Sequence, residues 1–408
     1  MDCARLFRLE CGIQHYAWGA RPRDGRPPYI AELTGRPAAP GQPFAELWIG
    51  AHPGLPARVV DGAGAPTLDA LIATHPRGIL GPALAGRGLR ELPFLLKVLD
   101  CEAPLSIQAH PDRNLAARLH RRDPANYPDD QHKPEIAIGL TGMTALCQFR
   151  PADETVTELA RLPALGSLFG GVLSGRRRGS KAWLRALYTH LFAAPQAEVE
   201  AAMAGVAAQL RAQPVLSEAD RWFLDIVARH PGDRGALSVY VLNLIHLGPG
   251  EAVYLAPDEP HAYLHGTIIE CMANSNNVVR AGLTAKFIDR DVLTRMLTYR
   301  MQRPQILRGE VEADGRRVYR VPTPEFLVEA LCTGPGREIG LESGGLVSLL
   351  LVLDGELELR TPQTRETAGR GTTWLWPAAL PVLTVTGGAA GSVIIRARPN
   401  PPAWTSDC

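Results

Sequence analysis

Apolar residues recur at helical spacing in the middle of the chain. Within Ala197–Leu210 they return at steps of four, three and four residues, which is the spacing of an amphipathic helix. Lys181–Phe192 repeats this pattern, and Ser217 followed three residues later by Asp220 is typical of a helix start. We therefore predict an all-α module over residues 151–235.

Short apolar runs lie on both sides of this module and favour strands, because several are rich in β-branched or aromatic residues. The clearest runs are Pro93–Leu99, Ala103–Ala109, Glu135–Gly139, Ala236–Leu247, Leu346–Leu353 and Trp374–Trp376. The 40 glycines and 35 prolines fall mainly outside the module, and they predict turns, among them Asp354-Gly355 and Gly369–Gly371. The predicted fold class is mainly β with a helical insertion (α+β), its short strands closed into barrels or stacked in two layers.

Charge and composition exclude several classes of protein. The 408 residues include 43 Lys and Arg against 42 Asp and Glu, a net charge of +1, which argues against general nucleic-acid binding. No apolar run approaches the roughly 20 residues of a membrane-spanning helix. The first 16 residues lack the apolar core of a secretion signal, and the seven cysteines form no CxxC pair. We expect a cytoplasmic protein that binds neither nucleic acid nor membranes.

Lysine is used sparingly, since only four of the 43 basic residues are lysines. Three of them, Lys97, Lys133 and Lys286, lie inside the most polar segments of the chain. An ammonium group kept against a strong preference for arginine suggests a role that needs a compact, strongly hydrated cation. These three lysines are therefore candidate site residues.

Four side chains of types that bind divalent metals stand in or beside predicted strands, namely Gln108, His110, Glu135 and His261. Taken singly, each is explained as well by a solvent-facing strand position or by a structural histidine. Taken together, they match the donors of a zinc site that keeps one position open for substrate. Two imidazoles and one carboxylate also suit non-haem iron, so the residue types leave the metal open.

Alternation along the predicted strands adds polar groups to the same faces. Ser106 shares a face with Gln108, and Tyr263 and His265 share one with His261. All eleven histidines lie at or before His265, so we expect no imidazole-based metal site in the C-terminal β region.

A further polar segment, Ile268–Asp289, carries charges among apolar or small neighbours. Glu270, Arg280 and Lys286 are its most isolated charges. Because a buried charge is costly without a partner, these residues are expected either at a rim or paired within a site.

Seven segments in this order resemble type I mannose-6-phosphate isomerases, and the match runs from about residue 10 to 290. They are YAWG (Tyr16–Gly19), ELWIGAHP (Glu46–Pro53), PFLLKVLD (Pro93–Asp100), LSIQAHPD (Leu105–Asp112), HKPEIAIGLT (His132–Thr141), PHAYLHG (Pro260–Gly266) and ECMANSNNVVRAGLTAKFID (Glu270–Asp289). The resemblance implies cupin-type jelly-roll β-barrels. One is a catalytic barrel formed by residues 1–150 and 236–320. The helical insertion covers 151–235, and a second, histidine-free barrel covers 321–408.

The resemblance also implies an activity, the zinc-dependent interconversion of D-mannose 6-phosphate and D-fructose 6-phosphate through an enediol. It implies one zinc ion per chain and a sugar-phosphate substrate, and we expect the protein to be a monomer. The implied zinc ligands are Gln108, His110, Glu135 and His261. The implied catalytic residues are Arg280, Glu270, Lys133 and His132, and the implied substrate-binding residues are Lys97, Ser106, Trp18, Tyr263, Lys286 and Asn276.

Glu270 is the first candidate for the catalytic base, because apolar neighbours would raise the pKa of its carboxyl group. His52 and His132 are the next candidates. The phosphate is expected to bind Lys97, Lys133 and Ser106.

One position departs from the family pattern. Members usually read SDN where this chain has Ser275-Asn276-Asn277, and an amide at position 276 cannot act as a base. Two alternatives stay open at the level of sequence. One, which Asn276 leaves open, is a protein that binds sugar phosphates without turnover. The other is a cupin oxygenase whose iron is held by His110, Glu135 and His261.

Overall fold

The computed structural model describes residues 3–60, 64–175 and 179–401. Helices and strands are numbered along the chain. The helices are Tyr29–Thr34 (α1), Leu68–Thr74 (α2), Pro76–Ile79 (α3), Pro82–Gly86 (α4), Arg113–Arg122 (α5), Ala152–Ala160 (α6), Pro163–Leu173 (α7), Lys181–Ala193 (α8), Gln196–Arg211 (α9), Glu218–Arg229 (α10) and Arg290–Met296 (α11). Within these described ranges, none of the helices combines the length and apolar character that a membrane crossing requires.

Helices α6–α10 follow one another between residues 152 and 229, where the sequence predicts helices. Helix α9 buries the apolar positions that return at steps of four, three and four residues, as expected. Helix α10 begins with a capping box, because the Ser217 and Asp220 side chains each accept a backbone N–H of the other residue. The predicted helices over Ala197–Leu210 and Lys181–Phe192, and the helix start at Ser217, are confirmed.

The strands form two sheets, and all of their strand pairs are antiparallel. The first sheet contains Gly12–Gln14 (β2), Glu46–Ile49 (β3), Phe94–Cys101 (β5), Ile107–Ala109 (β6), Glu135–Gly139 (β7), Met143–Phe149 (β8), Leu242–Leu247 (β9), Ala252–Leu255 (β10), His261–Ala273 (β11), Val279–Gly282 (β12) and Ile306–Leu307 (β13). The second contains Phe7–Glu10 (β1), Arg58–Val59 (β4), Glu310–Val311 (β14), Arg317–Tyr319 (β15), Leu327–Thr333 (β16), Glu338–Glu342 (β17), Ser348–Arg360 (β18), Arg365–Gly369 (β19), Thr373–Trp376 (β20) and Val382–Arg398 (β21). The predicted class, mainly β with a helical insertion, is confirmed.

The second sheet draws strands from both ends of the chain. β1 and β4 pair in a row with β20, so two N-terminal strands belong to the C-terminal sheet. The division into three domains, residues 1–150 with 236–320, 151–235 and 321–408, stays a prediction. Strand pairing shows that β1 and β4, assigned to the first of these domains, belong to the sheet of the third.

Strand β11 links two groups of strands within the first sheet. Its first half pairs with β6 and β8, and its second half pairs with β5 and β7. The register shifts between Tyr263 and His265, and Gly266 has a φ of +117°. The expectation that His265 shares a face with His261 and Tyr263 is therefore wrong: the bulge leaves His265 exposed, whereas the other two are buried.

Two other local predictions are corrected. The run Ala236–Leu247 begins as a 3₁₀ helix, Arg234–Tyr240, because the Asp233 carboxylate caps Gly235 N–H, and only β9 is extended. Asp354-Gly355 is not a turn but a bulge inside β18, which pairs with β21 on both sides of it. Gly355 has a φ of +74°, and a Cβ there would lie 2.1 Å from the Gly391 carbonyl oxygen.

A layer of apolar side chains joins the two sheets. Alternate residues of β5, among them Leu96 and Val98, point into this layer, where they meet Leu349 and Leu351 of β18. Because side chains alternate along a strand, the intervening residue Lys97 faces the opposite side, into the interior of the first sheet. The interior face of the first sheet is therefore where polar groups gather.

The second sheet contains a buried ion-pair network. The Glu329 carboxylate contacts the guanidinium groups of Arg396 at 3.2 Å, Arg398 at 3.1 Å and Arg316 at 3.1 Å. We expect Glu329→Ala to lower the free energy of unfolding by about 3–5 kcal/mol, because it leaves Arg396 buried without its partner carboxylate. Urea denaturation monitored by circular dichroism measures this loss.

An exposed pair in the same sheet provides the control. Glu338 contacts Arg360 at 2.8 Å, and its side chain is 58% exposed. Glu338→Ala should change the free energy of unfolding by at most about 1 kcal/mol. If Glu329→Ala and Glu338→Ala lowered the free energy of unfolding equally, burial would not explain the stabilising effect of Glu329.

Candidate active site

Strand register places three of the predicted site residues in one row. His261 of β11 lies directly opposite Gln108 of β6, and Gln108 lies opposite Arg280 of β12. Directly opposed residues of antiparallel strands point to the same face, with Cβ atoms about 4.5–5.5 Å apart. Two metal-ligand candidates and a guanidinium group therefore stand side by side.

A second row crosses the strands that pair with the second half of β11. Glu270 of β11 lies opposite Lys97 of β5, which lies opposite Trp48 of β3. Glu135 of β7 lies opposite Met272, two residues beyond Glu270 on the same strand. Since residues two apart share a face, Glu135 and Glu270 point into the same interior.

His110, Glu135 and His261 form a compact, buried cluster. Their ligand atoms lie within 4.8 Å of one another, and each side chain is at most 2% exposed. His110 Nε2 is 3.4 Å from one oxygen of Glu135, and His261 Nε2 is 3.3 Å from the other. Among the described residues, neither Nε2 atom has a hydrogen-bond partner. Buried nitrogens aimed at a shared carboxylate are the arrangement expected of cation ligands.

The opposite ring nitrogens fix the orientation of both imidazoles. His110 Nδ1 lies 2.7 Å from the Asn277 carbonyl oxygen, and His261 Nδ1 lies 3.2 Å from that of Glu259. Because a carbonyl only accepts, each Nδ1 carries the hydrogen and each Nε2 presents a lone pair to the cluster.

The electrostatics of the cluster favour the ligand forms of these groups. Burial lowers the pKa of His110 to about 4, which keeps its imidazole neutral at pH 7. Burial alone would raise the pKa of Glu135, but Lys133, at 2.9 Å, and His110 outweigh it and hold that pKa well below the usual value. A metal needs neutral imidazole and ionised carboxylate, so the residues present fit a divalent cation.

Glu270 lies in a second buried group of charges. One carboxylate oxygen is 3.3 Å from Lys97 Nζ, and the other accepts a hydrogen bond from the Tyr263 hydroxyl at 3.0 Å. Lys97 also contacts Glu46 at 3.2 Å. Burial and the nearby charge of Glu135 raise the pKa of Glu270. For Lys97, burial lowers the pKa, but the surrounding carboxylates outweigh burial and raise it.

These groups open into one cavity of about 610 Å³. Its lining includes eleven of the predicted site residues: Trp18, Lys97, Ser106, Gln108, Lys133, Glu135, Tyr263, Glu270, Asn276, Arg280 and Lys286. Tyr16 stacks on Trp18 with a centroid distance of 5.9 Å, and Lys286 Nζ lies 6.0 Å from the Tyr16 ring. The cavity therefore combines a polar floor with an aromatic and cationic rim.

Comparison with known proteins identifies the family. A family model described as "Phosphomannose isomerase type I, catalytic domain" matches residues 6–152. Mannose-6-phosphate isomerase of Macaca fascicularis is 36% identical over 392 residues, covering 90% of this chain and 91% of that protein. Mannose-6-phosphate isomerase 1 of Arabidopsis thaliana is 35% identical, covering 92% and 90%. This chain belongs to the type I phosphomannose isomerase family.

Solved structures agree with the family assignment. The chain matches a crystal structure titled "mannose 6-phosphate isomerase (holo; zinc bound)" with a TM-score of 0.86 and 30% identity, covering 97% of this chain and 99% of that one. An apo form from Salmonella typhimurium matches with the same TM-score, 29% identity and the same coverage. The family expected from the seven sequence segments is confirmed.

One predicted residue of the family motif HKPE lies outside the cavity. His132 Nε2 is 2.8 Å from a Glu325 carboxylate oxygen and 2.8 Å from an Arg113 guanidinium nitrogen, in a separate depression of the surface. Its neighbour Lys133 points inward instead, because adjacent residues of an extended segment face opposite sides. The structure thus separates His132 from the other predicted catalytic residues.

Several further residues line the same cavity, although the sequence patterns predict no role for them. Glu46 and Trp48 are paired by a 2.6 Å hydrogen bond from the indole to the carboxylate, and both contact Lys97. Their two-residue spacing within ELWI was an available signal. Arg229 and His230, at the end of α10, also line the cavity, but no pattern connects that helix with the distant strands.

Proposed function

We propose that this protein interconverts D-mannose 6-phosphate and D-fructose 6-phosphate, an aldose–ketose isomerisation. The observation that carries the proposal is the buried His110–Glu135–His261 cluster with its unpartnered Nε2 atoms, because Glu135 also lines the cavity that contains Glu270, Lys97 and Arg280. Family membership supports the same reaction, since the relatives are mannose-6-phosphate isomerases.

His110, Glu135 and His261, together with Gln108, would hold one zinc ion per chain. The donor set of two imidazole nitrogens, one carboxylate and one amide oxygen fits zinc, and the related crystal structure is titled as zinc-bound. When bound, zinc supplies Lewis-acid stabilisation of negative charge on the sugar oxygens.

Glu270 is proposed as the base that moves the proton between C1 and C2 of the sugar. Burial and the charge of Glu135 raise the pKa of Glu270, which makes its carboxylate a stronger base than an exposed glutamate. Tyr263 and Lys97 hold its two oxygens in place, which limits the reorganisation needed during transfer.

Arg280 is proposed to stabilise the charge of the enediolate. It stands beside Gln108 in the sheet register, and it has no carboxylate partner among the residues the structure describes. Burial lowers the pKa of Arg280, but a guanidinium starting from so high a value stays charged at neutral pH. An unpaired cation at this position can stabilise negative charge as it develops on the substrate.

The phosphate is proposed to bind Ser106 and Lys286 at the outer part of the cavity. Lys97 and Lys133, also expected to bind phosphate, are each in contact with a carboxylate. Lys286 is exposed and, within the described ranges, has no carboxylate partner, so its charge is available to a dianion. Trp18 and Asn276 complete the proposed substrate-binding set.

A coupled assay for fructose 6-phosphate tests the function directly. We expect conversion of mannose 6-phosphate by the zinc-loaded protein and at least a roughly 100-fold loss after treatment with a chelator, because the metal's charge stabilisation is worth several kcal/mol. Added zinc should restore the rate. Absence of turnover by the zinc-loaded protein would overturn the proposal, and a requirement for oxygen would favour a cupin oxygenase.

The sequence also predicts a monomer located in the cytoplasm that binds neither nucleic acid nor membranes. These expectations stay predictions. Size-exclusion chromatography with light scattering measures the oligomeric state.

A further inference from the structure

A single carboxylate, that of Asp129, ties the segment 275–277 to the loop before β7. One oxygen accepts from the Ser275 hydroxyl at 2.8 Å and from the Asn277 amide at 2.9 Å. The other accepts from the Asn276 backbone N–H at 2.8 Å. The Asn277 amide also donates to the Asp129 carbonyl at 2.7 Å and to the Gln131 carbonyl at 2.9 Å. Both the side chain and the backbone of the segment are therefore fixed.

The same segment carries the acceptor that orients a metal-ligand candidate. The Asn277 carbonyl oxygen receives the Nδ1 hydrogen of His110 at 2.7 Å, and Asn277 is fully buried. His110 is 167 residues away in sequence, so its ring orientation depends on where this carbonyl is held. The loop that begins at Asp129 also leads directly to Lys133 and Glu135.

We propose that Asp129 is a positioning residue of the metal site, acting through the Asn277 carbonyl on the tautomer and orientation of His110. The proposal rests on the function proposed above. His261 is oriented instead by the Glu259 carbonyl, so the effect of Asp129 on the ligands is local to His110. Partners that orient ligating histidines typically contribute about 10–100-fold to metal affinity.

The test compares Asp129→Ala with the wild-type protein in zinc binding and in the absorption spectrum of the Co²⁺-substituted protein. We expect about 10–100-fold weaker zinc binding, measured by competition with a chromophoric chelator. The ligand-field bands of Co²⁺ should change even at saturation, because the His110 ring is no longer fixed. A purely structural role elsewhere would not alter the spectrum of the saturated site.

Asp130→Ala is the matched control, since Asp130 is the adjacent carboxylate and its hydrogen bond is to the Gln131 side chain. Zinc affinity of this control should stay within about threefold of wild type. If Asp129→Ala does not fold, Asp129→Asn decides, because the amide keeps the shape but cannot accept on both sides; its affinity should fall by at least about fivefold.

Wild-type affinity and an unchanged Co²⁺ spectrum in a folded Asp129 variant would overturn the inference. A wild-type protein that binds no zinc would instead overturn the proposed function. The two failures are therefore distinguishable in one experiment.

Discussion

Glu270→Gln lowers kcat by about 10²–10⁴-fold if this carboxylate moves the proton between C1 and C2. Glutamine keeps the size of the side chain and an oxygen for the Tyr263 hydroxyl, but it cannot take a proton at neutral pH. Steady-state kinetics with zinc-loaded protein measure the loss. Exchange of the substrate C2 proton with solvent, followed by NMR in D₂O, should fall in parallel.

The matched control for this prediction is Glu46→Gln. Glu46 contacts the same ammonium, Lys97, at 3.2 Å, compared with 3.3 Å for Glu270. If Glu270→Gln acted only by disturbing Lys97, Glu46→Gln should reduce activity to the same extent. We expect solvent exchange to be largely retained in Glu46→Gln and lost in Glu270→Gln. Near-normal exchange in Glu270→Gln would show that another group is the base.

Glu135→Gln removes zinc as well as activity, because its two oxygens are the only anionic contacts of His110 and His261 among the described residues. The loss of zinc affinity should exceed the roughly 10–100-fold expected for a residue that only orients a ligand. Metal content after dialysis, measured by inductively coupled plasma mass spectrometry, should fall well below one zinc per chain. Turnover should fall to the level of the chelator-treated protein.

Lys133→Met separates loss of a ligand from loss of its partner. Lys133 lies 2.9 Å from Glu135, but its replacement leaves all four proposed ligands in place. We expect zinc content to stay near one per chain in this variant. If Lys133→Met lost zinc as completely as Glu135→Gln, charge balance rather than ligation would explain the effect of position 135.

The helices were predictable from sequence because their signals are local. The capping box of Ser217 and Asp220 and the apolar spacing within α9 involve residues a turn or two apart. The strand predicted over Ala236–Leu247 is wrong in its first part, because the Asp233 cap and complete burial override strand propensity there. An Asp-Gly pair likewise predicts a turn, but at Gly355 pairing with β21 on both sides turns it into a bulge.

The site was predictable residue by residue only through the family segments. Residue types at predicted strand positions indicated Gln108, His110, Glu135 and His261 as possible ligands, but the same types also suit iron, so they left the metal open. Motif membership could not separate His132 from Lys133, since strand alternation, not proximity in sequence, decides which enters the cavity. The roles of the individual cavity residues stay a prediction.

Because both sheets contribute to one apolar layer, the two halves of this enzyme depend on each other. Lys97 faces the cavity, while its neighbours Leu96 and Val98 pack in one apolar cluster with Leu349 and Leu351 of a sheet that contains none of the four proposed ligands. The histidine-free half thus supplies the apolar surface against which the strand that carries Lys97 packs. Separating the two sheets would expose this apolar layer to water, so we expect residues 321–408 to be required for a folded catalytic half.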